Sequence, residues 1–171
     1  MQLEIPQLQH REEYFAMMQE FFTAQEEIIP TTMQMKDGET YEQFIQACKE
    51  KSEGKNLTLW RVPNTLYFLV NENNKIVGAI DIRHKLTEEL KFDGGNIGYS
   101  IRPSERKKWY ATIGLKLALE KCKELGMQKV LLTRRQKDVG SSKAIILNGG
   151  IRDSSYEVNR VYKDRYRITL R

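Results

Sequence analysis

The stretch Ile97–Thr112, IGYSIRPSERKKWYAT, decides how this chain is read. Gly94–Ile101 has the alternation of a strand, and Pro103 ends it because proline cannot donate to a ladder. Arg102, Arg106, Lys107 and Lys108 then crowd a short loop. From Tyr110 to Leu125 the apolar residues Ala111, Leu115, Ala118, Leu119, Cys122 and Leu125 recur at helical spacing, and Gly126 supplies a C-terminal stop. Lys129–Thr133 carries the run Val130-Leu131-Leu132, a candidate for a buried strand. This strand–helix–strand unit has a crossover long enough for parallel neighbours. Its basic loop enters a helix N-terminus, where unpaired N–H groups and the helix dipole favour an anion by about 0.3–1 kcal/mol. The same residues also read as a solvated basic turn before an ordinary helix.

Upstream, the spacing predicts a helix over about Gln9–Glu27, with Tyr14, Met17, Met18, Phe21 and Phe22 on one stripe. A second helix runs from Thr40 to about Gly54. Tyr67–Val70 and Lys75–Arg83 flank a polar turn and form a hairpin. Glu88–Lys91 is short and polar. Downstream, Ser141–Leu147 reads as a short helix stopped at Asn148-Gly149-Gly150, and the tail as one or two strands. The expected class is α/β, a mixed central sheet flanked by helices, in one domain spanning 1–171.

The composition excludes several classes. With 40% hydrophobic and 30% charged residues the chain is globular rather than disordered. No apolar run reaches the roughly 18–20 residues of a membrane span, and MQLEIPQLQHREEY lacks a signal-peptide core, so the expectation is a cytoplasmic protein without membrane contact. Cys48 and Cys122 read as reduced core residues. His10 and His84 have no Cys or His at ligand spacing, so no metal site is expected. The net charge of +5 suits a phosphate-rich ligand or nucleic acid. In the tail, however, Asp153, Glu157 and Asp164 interrupt the arginines and Tyr156, Tyr162 and Tyr166, which argues against nucleic-acid binding.

The segment IGYSIRPSERKKWYAT with its following helix, then LEKCKELGMQKVLLT and ILNGG, resembles the GNAT N-acetyltransferase superfamily, most closely a bacterial branch of it. The resemblance is specific from Lys75 to Gly150, nearly half the chain. It implies the GNAT fold, acetyl-CoA as donor, and a small-molecule or peptide amine as acceptor. Many relatives form homodimers. The family's loop motif is Arg or Gln, two residues, Gly, one residue, then Gly or Ala. Arg106 and Ala111 match its ends, and Trp109 stands at the Gly position. Lys107 stands where the branch also favours Gly.

The resemblance further implies a pantetheine arm paired with the backbone of Ser100 and Ile101, in a sheet splayed before Lys129–Thr133. The pyrophosphate would lie on Lys107, Lys108, Trp109, Tyr110, Ala111 and Thr112. Asp138 falls where relatives often have Asn on the pantetheine, and Ser141 and Lys143 fall on the helix after it. Ile145 falls where relatives often have a proton-donating Tyr. A Trp held at positive φ at position 109 costs roughly 1–2 kcal/mol. His84 and Tyr99 are the acid–base candidates. Asp81 alternates with Arg83 and suits an ion pair with it, and Glu88 and Glu89 suit a cationic acceptor. A chain that binds an acyl-CoA without turnover is the alternative that Trp109, Asp138 and Ile145 suggest.

Overall fold

The computed structural model describes residues 1–170. A short strand β1 (Gln2–Glu4) leads through a 3-10 turn into helix α1 (Arg11–Thr23). Helix α2 (Tyr41–Ser52) starts at Thr40, whose hydroxyl accepts from the Gln43 N–H while the Gln43 side chain accepts from the Thr40 N–H. The hairpin is β2 (Asn64–Val70) and β3 (Ile76–Arg83). A five-residue helix α3 (Glu88–Phe92) occupies the stretch that reads only as short and polar, begun by a Thr87 cap on the Leu90 N–H. Then follow β4 (Ile97–Ile101), α4 (Tyr110–Glu124), β5 (Lys129–Arg135), α5 (Val139–Leu147), β6 (Ile151–Val158) and β7 (Val161–Thr169).

The strands form two sheets, ordered β1-β2-β3-β4 and β5-β7-β6. Every ladder is antiparallel. The α/β class with flanking helices is as expected, but the parallel pairing of β4 with β5 is not formed. The two strands touch only at a single bridge between Gly95 and Leu132. The Asn96 N–H donates to the Leu131 carbonyl at 2.7 Å, and the Leu131 N–H donates to Asn96 Oδ1 at 2.9 Å. A side chain thus completes the ladder where the backbone leaves it. Gly95 has φ +70°, and a Cβ there would lie 2.3 Å from the Leu131 carbonyl oxygen. No other residue type allows so close a pinch. Beyond this point the sheets part, as the resemblance implies.

The core lies on both faces of the first sheet. Tyr14, Met17 and Phe21 of α1 and Tyr41 and Phe44 of α2 cover one face with Leu66, Phe68 and Ala79. Leu115, Ala118, Leu119 and Cys122 of α4 cover the other with Ile80, Ile82 and Ile97, and continue onto Val130, Tyr166 and Ile168 of the second sheet. Each large buried apolar side chain contributes about 1.5–3 kcal/mol. Because α4 spans both sheets, it holds them together while their edges diverge.

Candidate active site

Two hydrogen bonds fix the phase of β4. The Arg83 N–H donates to the Asn96 carbonyl at 2.8 Å, and the Arg102 N–H to the Val77 carbonyl at 2.9 Å. Even-numbered residues of β4 therefore exchange bonds with β3, and the odd-numbered ones turn outward. Tyr99 and Ile101 present their N–H and C=O groups to the gap before β5. Ser100 does not share that edge, because its backbone pairs with Ala79. Its hydroxyl is instead buried without a hydrogen-bond partner.

At the end of β4 the loop takes an unusual path. Lys107 has φ +62° and Trp109 φ +66°. These are the two positions where the resemblance places glycine, and here the left-handed backbone is adopted without it. The N–H groups of Lys107, Lys108 and Trp109 find no acceptor among the described residues. Those of Tyr110, Ala111 and Thr112 belong to the first turn of α4 and have none within the helix. The result is a run of outward-facing amides at a helix N-terminus. The Trp109 ring is largely exposed and stands outside the protein body.

The loop cations do less than their number suggests. The Arg106 guanidinium donates to both oxygens of Glu26 at 2.7 and 2.6 Å and to the Ile101 carbonyl at 3.2 Å. Buried Arg102 is held by Glu13 and Glu20. Lys108 sits on Glu105 at 2.9 Å. These pairs tie the loop to α1 and to itself. Lys107 makes no ion pair among the described residues. Of the remaining first-turn residues, Tyr110 and Ala111 pack against the small cluster of Leu69, Val77 and Ile101, and the Thr112 carbonyl accepts from Asn148.

The far wall is α5. Asp138 caps it by accepting from the Ser141 N–H at 3.0 Å. The Ser141 hydroxyl reaches across to the Tyr99 hydroxyl at 2.8 Å. Burial pushes the Tyr99 phenol up to about 12. Lys143 is exposed, and Ile145 is fully buried in the core. His84 lies elsewhere. Its Nε2 is 2.8 Å from the Thr65 hydroxyl, beyond the start of β4, and burial lowers its pKa. It lies six positions along the chain from Gly78, the partner of Ile101, roughly 20 Å at strand rise.

Asp81 is the residue that sequence reasoning undervalued. It is fully buried, and its Oδ1 accepts from Asn64 Nδ2 at 2.5 Å, while Oδ2 has no partner. The ion pair expected with Arg83 is absent, because the Arg83 guanidinium donates to the carbonyls of Gly94 and Gly95. A hydrophobic-run reading of IVGAIDIR marks the strand but gives no sign that its one acid lacks a partner. Among the described residues no cluster of three or more His, Cys, Asp or Glu side chains suits a metal ion.

The model of the acetyltransferase (GNAT) family matches residues 17–143. The chain belongs to the GNAT acetyltransferase family. It is an acyltransferase by that membership. No curated protein sequence matches it. Among solved structures it is similar to the Salmonella typhimurium acetyltransferase that modifies the N-terminal serine of a 50S ribosomal subunit protein, with TM-score 0.68 and 12% identity over 99% of this chain and 94% of that one. It is also similar to the microcin C7 self-immunity acetyltransferase in complex with acetyl-CoA and AMP, with TM-score 0.68 and 15% identity over 98% and 91%. A variant of the Vibrio cholerae spermidine N-acetyltransferase matches with TM-score 0.63 and 12% identity over 99% and 95%. These likenesses show the GNAT fold. No helix of the chain is long and apolar enough to cross a membrane.

Proposed function

We propose that this chain transfers an acetyl group from acetyl-CoA to a primary amine by direct attack within a ternary complex. The observation that carries the reading is the joining of two features. A strand edge at Tyr99 and Ile101, unpaired by backbone but with the Ile101 carbonyl taken by Arg106, leads straight into the unpaired amides of Lys107–Thr112. The first suits the amide groups of a pantetheine arm, much as an added strand would pair. The second suits a pyrophosphate. The buried Ser100 hydroxyl next to this edge has no hydrogen-bond partner. Lys107, and Lys143 on α5, are the cations left to meet phosphate. Acetyl-CoA supplies the activated thioester.

Direct attack is supported by the lack of an activated nucleophile at the gap. Cys48 and Cys122 are buried, and burial pushes each thiol up to about 12. The Thr65–His84 pair sits at the opposite end of β3. The reaction forms a bond from the amine nitrogen to the acetyl carbon and breaks the carbon–sulfur bond. One proton leaves nitrogen and one returns to sulfur. Tyr99, with Ser141 behind it, is the hydroxyl pair placed to return that proton. The test is acetyl-CoA-dependent CoA release across a panel of amines. Release with at least one amine is expected. Tight acetyl-CoA binding with no release for any acceptor would favour a binding protein without turnover.

A further inference from the structure

The face of the first sheet that carries α1 and α2 also holds a pocket of about 170 Å³. Asp81 and Asn64 form its floor, Thr32 comes from the α1–α2 connection, and Arg61 and Trp60 come from the segment before β2. A second hollow of about 350 Å³ adjoins it and shares Trp60 and Leu90 as walls. The floor is unusual chemically. Asp81 Oδ2 and the Thr32 hydroxyl are both buried, and both lack a hydrogen-bond partner. A folded chain rarely leaves a buried carboxylate oxygen unanswered, so this one calls for a donor from a ligand. Burial raises the Asp81 pKa, and Arg83, Asn64 and the nearby Thr32 hydroxyl only partly offset that.

The other charges on the pocket narrow the choice. Arg83 is pinned to the carbonyls of Gly94 and Gly95, but its charge remains. Arg61 is exposed at the rim and makes no ion pair among the described residues. A carboxylate on the floor with two guanidinium groups beside it is poorly matched to a simple cation. It matches a ligand carrying one positive and one negative group close together. The adjoining hollow, lined by Trp60 and Leu90 with Thr87 and Glu89, is mostly apolar and suits an apolar side chain. Trp60 is held at φ +76°, a strained backbone of the kind that gathers at binding sites.

The position suits the reaction as well. Asp81 pairs with Gly98 across the β3–β4 ladder, at a Cα separation of about 5.5 Å for a hydrogen-bonded pair. An amine on Asp81 Oδ2 therefore lies one strand from the edge at Tyr99, with Pro30 against Gly98 between them.

We infer that this pocket is the acceptor site and that it takes a free α-amino acid with an apolar side chain. Its ammonium sits on Asp81 Oδ2, its carboxylate on Arg61, and its side chain against Trp60 and Leu90. The inference rests on the amine acetyltransferase reading above and names the substrate class.

The experiment is a calorimetric titration of the full chain, without acetyl-CoA, using leucine and phenylalanine. Their amides (which lack the carboxylate) and their deaminated acids (which lack the ammonium) serve as comparison. At least one amino acid is expected to bind, and both truncated forms to bind at least about 10-fold more weakly. Asp81→Asn and Arg61→Gln should each weaken the amino acid by at least about 10-fold. Neither should change acetyl-CoA binding measured separately. Asp81→Asn should melt no lower than the native chain, because an amide can keep the Asn64 bond and donate to Thr32. Should it fail to fold, Arg61→Gln at an exposed position carries the test alone. An amide that binds as tightly as its amino acid overturns the inference. So does undiminished binding to the folded variants, or a chain that binds acetyl-CoA but neither amino acid. Loss of acetyl-CoA binding with amino-acid binding kept would instead overturn the donor-site reading.

Discussion

The hydroxyls of Tyr99 on β4 and Ser141 on α5 lie 2.8 Å apart and form a polar link across the gap between the two sheets. Burial keeps the Tyr99 phenol protonated at neutral pH. It is therefore a donor, with Ser141 able to resupply it. Tyr99→Phe should lower kcat on the order of 100-fold, at the lower end of what a general acid contributes. The dissociation constant for acetyl-CoA should stay within about 3-fold. Steady-state kinetics and direct titration on the same preparation check this. An unchanged kcat would remove Tyr99 from the chemistry.

The pinch between the sheets depends on two side-chain identities. Gly95→Ala places a Cβ against the Leu131 carbonyl and forces an alanine to positive φ, so a loss of about 3 kcal/mol or more is expected. Asn96→Ala leaves the buried Leu131 N–H unanswered and should cost about 1–3 kcal/mol. Denaturant unfolding measures both. If Gly95→Ala unfolds at the native midpoint, the pinch is not under the constraint described.

Trp109 and Lys107 hold left-handed backbone without glycine. Replacing Trp109 by Gly relieves about 1–2 kcal/mol of backbone strain and costs roughly 0.5–1 in chain entropy. Trp109→Gly should therefore stabilise the fold by up to about 1.5 kcal/mol, seen as a higher melting temperature. A lower one would mean that the exposed ring makes a contact worth more than the strain.

Acid should loosen the loop from α1. Burial raises the Glu20 carboxyl, but the Ser104 N–H and the Arg102 guanidinium outweigh it and leave it below its ordinary 4.5. Arg106 lowers Glu26, and Lys75 and Lys108 lower Glu105. A carboxylate with a depressed folded-state pKa stabilises the fold above its unfolded value. That contribution is lost as pH falls through the folded value. Unfolding free energy should thus decline as pH drops below about 4.5, and Glu20→Gln should flatten the slope. An equal slope in that variant would count against the network.

Much of this was legible in the sequence, and the reasons are physical. The α4 stripe and the Val130-Leu131-Leu132 run declare themselves through periodicity, and the family resemblance locates the loop between them. The helix α3 does not, because five residues are too few to carry a period and depend on the Thr87 cap. Ser100 was placed on the wrong edge because strand phase is set by ladder partners that sequence does not show. The loop cations read as a phosphate cradle, yet Glu13, Glu20 and Glu26 claim Arg102 and Arg106 from 80 or more residues away in the chain. The unpartnered oxygen of Asp81 could be found only by seeing what its neighbours bond to instead.

The central claim is that the backbone of this loop still offers a donor site although Trp109 and Lys107 stand where relatives have glycine. Calorimetric titration with acetyl-CoA, with dephospho-CoA beside it, tests this most directly. Micromolar binding to the native chain, lost when Ala111→Glu puts a carboxylate at the helix start, is the predicted result. No heat of binding at about 1 mM acetyl-CoA would contradict the account and leave a GNAT fold without its donor.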